Sequence, residues 1–207
     1  MAAFIYLKTM KFLQFAFLFH LMLQPSFQNG LIAQKQKMIV FDHAKSSIEI
    51  MGTTNVSDFG CAYNVRLPKD TLMIALKNAE KMLEIKGASL RLPIKSFKCD
   101  NSPMTSDFRK LLKAEEHPYI NIKLIGIYKI ESLKNHAEIA INIAGVQKHF
   151  TIATHIEKTD EAYLCEGNPE LCITDFGIEA PEKFFGMVKV NEDITVAFSL
   201  SFSVYDL

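Results

Sequence analysis

Apolar and polar residues alternate along most of the chain beyond residue 34. The clearest run is Ile194, Val196, Phe198, Leu200, Phe202 and Val204, interleaved with Thr195, Ala197, Ser199, Ser201 and Ser203. A period of two gives a strand with one apolar and one small polar face, and no helical spacing fits it. Ile139, Ile141 and Ile143 alternate in the same way with Glu138, Ala140 and Asn142, and Phe150, Ile152 and Ile156 with His149, Thr151 and His155. Leu90, Leu92 and Ile94 oppose Arg91 and Lys95. Ile120, Ile122 and Leu124 oppose Asn121 and Lys123, although Ile125 and Ile127 blur the pattern further on. Leu72, Ile74 and Leu76 also alternate; a helix from Leu72 to Leu83 is the competing reading, and strands are preferred.

Gly145 and Val146 separate two of these strands, and Gly167-Asn168-Pro169 separates Tyr163-Leu164-Cys165 from Leu171-Cys172-Ile173. Both read as hairpin connections, so the expected topology is an antiparallel meander. One helix interrupts it, from Pro103 to Ala114. Ser102 is the expected cap, Met104, Phe108, Leu111 and Leu112 recur at helical spacing, and His117-Pro118 ends it. The Met104, Phe108 and Leu111 face is expected to pack on the sheet as a cover or gate. Strands with one apolar face need a second sheet or closure into a barrel. A barrel of about eight strands leaves an interior that side chains fill or one ligand occupies.

The first 33 residues differ from the rest. They hold six of the sixteen Phe, two lysines and no acid. Lys8 and Lys11 precede a short apolar run from Phe12 to Leu23, and Gln24, Pro25 and Ser26 follow. This order suits a secretory signal peptide over residues 1–33 and is short for a membrane-spanning helix, the competing reading. Ala33 is the provisional residue before the cut, and a start at Met10 would give a more ordinary signal opening. Removing Lys8 and Lys11 with that segment leaves 21 basic and 23 acidic side chains, a net charge of −2, on a single domain of residues 34–207. An exported chain of this kind is expected in the periplasm or secreted. Its balanced charge argues against a nucleic-acid partner, and its 49% hydrophobic content against disorder.

No phosphate loop, nucleophile elbow or zinc-protease helix motif occurs. Asp175-Phe176-Gly177 matches a kinase triplet whose partners are all missing. Asn55-Val56-Ser57 matches a glycosylation acceptor. His43, His117, His136, His149 and His155 lack metal-pair spacing, and Asp58, Asp175 and Asp193 stand beside turns as isolated carboxylates. No metal, no cofactor and no catalytic residue is expected, and the chain reads as a non-enzyme. Cys61, Cys99, Cys165 and Cys172 are an even set in an exported chain, which favours disulfides. A symmetric hairpin about Asn168-Pro169 would set Cys165 opposite Cys172, leaving Cys61 for Cys99. Four buried thiols are the alternative.

Ser47-Ile48-Glu49-Ile50-Met51-Gly52-Thr53-Thr54-Asn55-Val56-Ser57-Asp58-Phe59 resembles the opening of YceI-like domains. Leu92-Pro93-Ile94-Lys95-Ser96-Phe97 resembles a further segment, continued by Met104, Phe108, Leu112-Lys113-Ala114 and His117-Pro118-Tyr119-Ile120. Ile143-Ala144-Gly145-Val146 is similar to the family's central turn, and Thr174-Asp175-Phe176-Gly177-Ile178 with Gly186-Met187-Val188-Lys189-Val190 to its closing segments. The likeness runs in order from Lys37 to Leu207. The four cysteines and the stretch from Lys69 to Lys86 depart from it.

The resemblance implies a mainly β fold, an extended antiparallel lipocalin-like barrel with one short helix. It also implies an apolar cavity for an isoprenoid-like lipid such as a polyprenyl or quinone tail. The corresponding wall is Ile122, Leu124, Ile139, Ile141, Ile143, Phe150, Ile152, Val196, Phe198, Leu200 and Phe202. Phe176 and Phe185, with Phe184 and Met187, are placed near turns at an opening, with ordinary core packing as an equal reading. Transient membrane contact and a homodimer are the further associations this reading admits. Alternation alone does not separate the cavity from a filled core, which would make the chain a structural or interaction module of the cell envelope.

Overall fold

The protein is described by a computed structural model covering residues 35–42, 44–64, 72–78, 82–128, 135–159, 162–183 and 185–207. All belong to one compact unit, Ala33–Leu207. The segment read as a signal peptide lies outside the described residues, as does Phe184. The strands are β1 (Lys35–Phe41), β2 (Ser47–Thr54), β3 (Asp58–Tyr63), β4 (Leu72–Asn78), β5 (Met82–Lys86), β6 (Ser89–Pro93) and β7 (Phe97–Cys99). Helix α1 (Ser102–Leu111) follows. Then come β8 (Tyr119–Tyr128), β9 (Asn135–Ile143), β10 (Val146–Lys158), β11 (Tyr163–Gly167), β12 (Glu170–Cys172), β13 (Glu182–Lys183) and β14 (Val188–Asp206).

Eight strands close a ring in the order β1-β4-β5-β8-β9-β10-β11-β14, with β14 returning to β1 and every pairing antiparallel. Closure leaves no edge in the ring, which settles the choice between barrel and sandwich. The remaining strands extend the ring at one end. Thr53 stands opposite Asp58 and Ile39 opposite Leu72, so the β2–β3 and β1–β4 ladders share one register. The stretch from Leu72 to Asn78 is strand, as its alternation indicates.

The connection at Gly167-Asn168-Pro169 is not the expected hairpin. Cys165 stands opposite Leu200 and Cys172 opposite Asp193, again one shared register along β14. The chain therefore runs straight on through these residues and makes no hairpin. Seven residues of strand separate the two cysteines by about 23 Å, well beyond the ~7 Å that a disulfide spans between Cα atoms. Cys165 and Cys172 are free thiols, contrary to the hairpin reading. Cys61 and Cys99 stand opposite each other on β3 and β7 and are joined by a disulfide.

The β9–β10 connection is a tight hairpin, and its turn residues are Ala144 and Gly145, one position earlier than the sequence reading. Both have positive φ, 50° and 84°, as a two-residue turn matched to strand twist requires. A Cβ on Gly145 would also lie 2.8 Å from the His117 ring. Gly145→Ala is expected to cost roughly 1–2 kcal/mol from backbone strain and displacement of that ring. Chemical denaturation read by circular dichroism checks this.

On β8 the ladder to β9 shifts between Leu124 and Gly126. This bulge inserts one residue, so the inward set changes from Ile122 and Leu124 to Ile127. That is why alternation blurs at Ile125. In α1 the cap is Asn101, whose side-chain oxygen accepts from Met104 N at 2.9 Å, in place of Ser102; Ser102 and Pro103 begin the helix, which ends at Leu111. Phe108 and Leu111 pack on the main core, with Leu112 buried just beyond the helix, whereas Met104 is not among the residues packed there. Asn55 ties the β2–β3 turn to the segment entering β14, donating to Met187 O and accepting from Lys189 N, each at 2.9 Å. The amide of the glycosylation-like triplet is thereby engaged in two hydrogen bonds to the backbone, at an exposed position.

Candidate ligand-binding interior

Register determines which side chains share the inner face. Ile139 faces Leu124 on one side and Phe150 on the other, and Ala137 links Ile127 to Ile152. Ile156 stands opposite Cys165, which stands opposite Leu200; Tyr163, Phe202 and Phe41 form the next row. Val204, Ile39 and Leu72 continue it, and Leu76 opposite Ile85 and Leu83 opposite Ile127 complete the ring. The inner face is apolar around the whole circumference, as closure with one apolar stripe per strand demands.

Packing differs between the two ends. At the α1 end Leu92, Ile94, Phe97 and Cys61 are at most 1% exposed, and Phe97 packs against Tyr63 and Phe108 with ring centroids 5.1 and 5.6 Å away. This end is filled. Ile74, Ile85 and Ala88 form a second, smaller buried cluster towards β1 and β4. Along β14 the inner face from Ile194 to Val204 stays half-buried, so solvent reaches the wall there.

Of the residues expected to form the wall, Ile139, Ile141, Ile143, Ile152 and Phe176 are buried in the main cluster. Ile122, Leu124, Phe150, Val196, Phe198 and Leu200 are half-buried against it. Phe202 is half-buried outside that cluster, stacked on Tyr163 at 5.7 Å and edge-on to Phe41 at 6.0 Å. Phe185 is not part of the wall: it is 107% exposed. Its φ of 56° and that of Gly186, 83°, turn the chain at the tip between β13 and β14, beyond the last rung of that ladder, and aim the ring away from the barrel. Sequence reading missed Ile39, Phe41, Ile74, Ile85, Ile127 and Tyr163 on the inner face. The alternation of Leu72, Ile74 and Leu76 was the available signal for that side.

Few polar groups face inward. Thr154 is 5% exposed, and its hydroxyl donates to Asn135 O at 3.3 Å. Lys37 pairs with Asp206 directly across the β1–β14 ladder. The inward thiol of Cys165 is pushed up from 9.0 to about 11, chiefly by burial and then by the Glu166 carboxylate. Both causes disfavour the thiolate, which is the reactive form. At pH 8 Cys165 is expected to react with iodoacetamide about a hundredfold more slowly than an ordinary thiol, and to gain reactivity steadily up to pH 11. Peptide-resolved alkylation rates check this. His149 and His155 are exposed on the outer face. Among the described residues no group of three or more His, Cys, Asp or Glu could hold a metal ion, and no helix is long and apolar enough to cross a membrane.

A hollow of about 470 Å³ opens onto the inner wall beside Gly167 and reaches Thr154 and Phe198. A larger hollow of about 990 Å³ lies along α1, bordered by Lys98, Asp100, Arg109, Lys110 and Glu115. Its charged border does not suit a hydrocarbon.

The model of the YceI-like domain matches residues 32–202. The chain belongs to the YceI-like domain family. No curated protein matches it. Among solved structures it is similar to Burkholderia cenocepacia BcnA at 15% identity and a TM-score of 0.59, over 78% of this chain and 98% of that one. It is also similar, at 15% identity and a TM-score of 0.48, to a Campylobacter jejuni YCEI protein that crystallizes with large solvent channels, over 65% of this chain and 81% of that one. The likeness to BcnA speaks for the fold. As a YceI-like domain the chain is a binding protein and not an enzyme, with a barrel able to hold a small hydrophobic ligand.

Proposed function

We propose that this YceI-like domain is an exported carrier that holds one isoprenoid-type amphiphile, a polyprenyl or quinone-like molecule, inside its barrel. The observation that carries the reading is the inner face itself: apolar around a closed eight-stranded ring, yet half-accessible along β14. A long hydrocarbon gains about 0.8 kcal/mol per methylene taken out of water, so such a wall binds it without many polar contacts. Export follows from the basic and apolar order of residues 1–33, whose removal leaves a chain for the periplasm or the exterior. A cargo this insoluble is exchanged with membranes, so contact with a bilayer is transient and part of loading.

Native mass spectrometry of the mature protein, before and after organic extraction, tests the reading. The expected result is a co-purified lipid lost on extraction and regained when a polyprenyl or quinone probe is added. A ligand-free protein that takes up neither probe overturns it and favours an interaction module acting through its surface.

A further inference from the structure

The β10–β11 ladder ends at the rung between His155 and Glu166. Beyond it, among the described residues, β12 bonds to β14 alone, and β10 from Thr154 back to Val146 has no strand on that side. The wall is therefore split. Its wider part is plugged by the turn Ile173–Phe176, whose Phe176 ring lies 5.9 Å from that of Phe150. Between this plug and the last rung lies the hollow of about 470 Å³.

The lining of this hollow comes from both faces of the sheet. Thr154 and Phe198 belong to the inner face by register, whereas Ala153, His155 and Glu166 belong to the outer face, and Asn168 stands at the strand break. The depression thus lies where residues of both faces come together at the end of the β10–β11 ladder. Gly167 makes this geometry available. A Cβ there would lie 2.6 Å from Phe198 Cζ and 3.1 Å from Ala153 O, so only glycine lets the phenyl ring lie across the gap. Phe198 is half-buried.

We propose that this split is the doorway of the barrel: an amphiphile's hydrocarbon chain passes inward beside Gly167, with Phe198 as the gate. His155, Glu166 and Asn168 form the polar rim on which the head group rests. The class of ligand that fits is a single-chain amphiphile with a hydrogen-bonding head, whose tail needs apolar surface and whose head stays hydrated. The inference rests on the carrier reading above and adds the route. The α1 end is closed by fully buried side chains, which blocks entry from that end.

The test is stopped-flow uptake and release of an 18-carbon conjugated tetraene fatty acid, whose fluorescence rises on leaving water. In Phe198→Ala both the association and the dissociation rate constants are expected to rise about tenfold, as removing a gate demands. Asn168→Trp, which sets a bulky ring at an exposed position of the rim, is expected to lower both by about tenfold. It carries the test if Phe198→Ala fails to fold. Leu111→Ala, on α1, is expected to leave both rates unchanged. A rise in dissociation alone for Phe198→Ala would mark Phe198 as a mere wall contact and overturn the doorway. So would acceleration by Leu111→Ala. If the unaltered protein takes up neither this probe nor a polyprenyl or quinone, the carrier reading falls together with the doorway; if it takes up the tetraene and the rates ignore both rim and gate, only the doorway falls.

Discussion

Leu200→Asp is expected to weaken binding of a long-chain polyprenyl or quinone probe on the order of a hundredfold, about 2.7 kcal/mol, while leaving the barrel folded. Leu200 is half-buried on the inner face of β14, opposite Cys165. In the empty protein solvent reaches this position, so a carboxylate there keeps much of its hydration. A hydrocarbon chain laid over it removes that water and supplies no hydrogen bond in return. The cost therefore falls on the complex and not on the fold. Asn142→Asp, which adds a carboxylate on the outer face of β9 opposite Gln147, is expected to leave affinity unchanged. Probe titration alongside thermal unfolding separates the two effects. Equal losses in the two variants would mean that the probe binds outside the barrel.

Phe97→Ala is expected to destabilise the domain by about 3–5 kcal/mol, with a fall in unfolding temperature of roughly 10 °C. Phe97 is 1% exposed and lies between the rings of Tyr63 and Phe108. It follows directly on the turn Ile94–Ser96, whose Ile94 is fully buried. Truncating it opens a cavity where β3, β7 and α1 meet, and the Cys61–Cys99 disulfide limits how far the walls can relax into it. Phe202→Ala, on a half-buried ring, is expected to cost less than half as much. Urea denaturation of both variants gives the ratio.

The strands could be read from the sequence because their inner face is buried and their outer face is wet, which writes a period of two into the residues themselves. β9 and β14 show it most plainly. The pattern was lost where geometry inserts a residue: the bulge between Leu124 and Gly126 flips the inward set, and alternation has no means of marking it. Gly167-Asn168-Pro169 misled for a different reason. Those residue types serve a reversal and a strand break equally well, and only the partner strand decides between them. β14 is long enough to pair with both sides of the break in one register, so the chain goes straight and the Cys165–Cys172 pairing fails. Phe185 was misplaced because an aromatic beside a turn carries no record of its backbone torsion. The split beside Gly167 was invisible in the sequence, since it is made by a pairing that stops.

The ring closes between its first and last strands: Phe41 meets Phe202, and Lys37 meets Asp206. No shorter portion of the chain can complete it. β1 gains its second neighbour only when β14 reaches it, so the ring stays open until two strands far apart in sequence meet. Contacts this distant in sequence also form slowly. Closure therefore waits on β14, the strand that locks the shape.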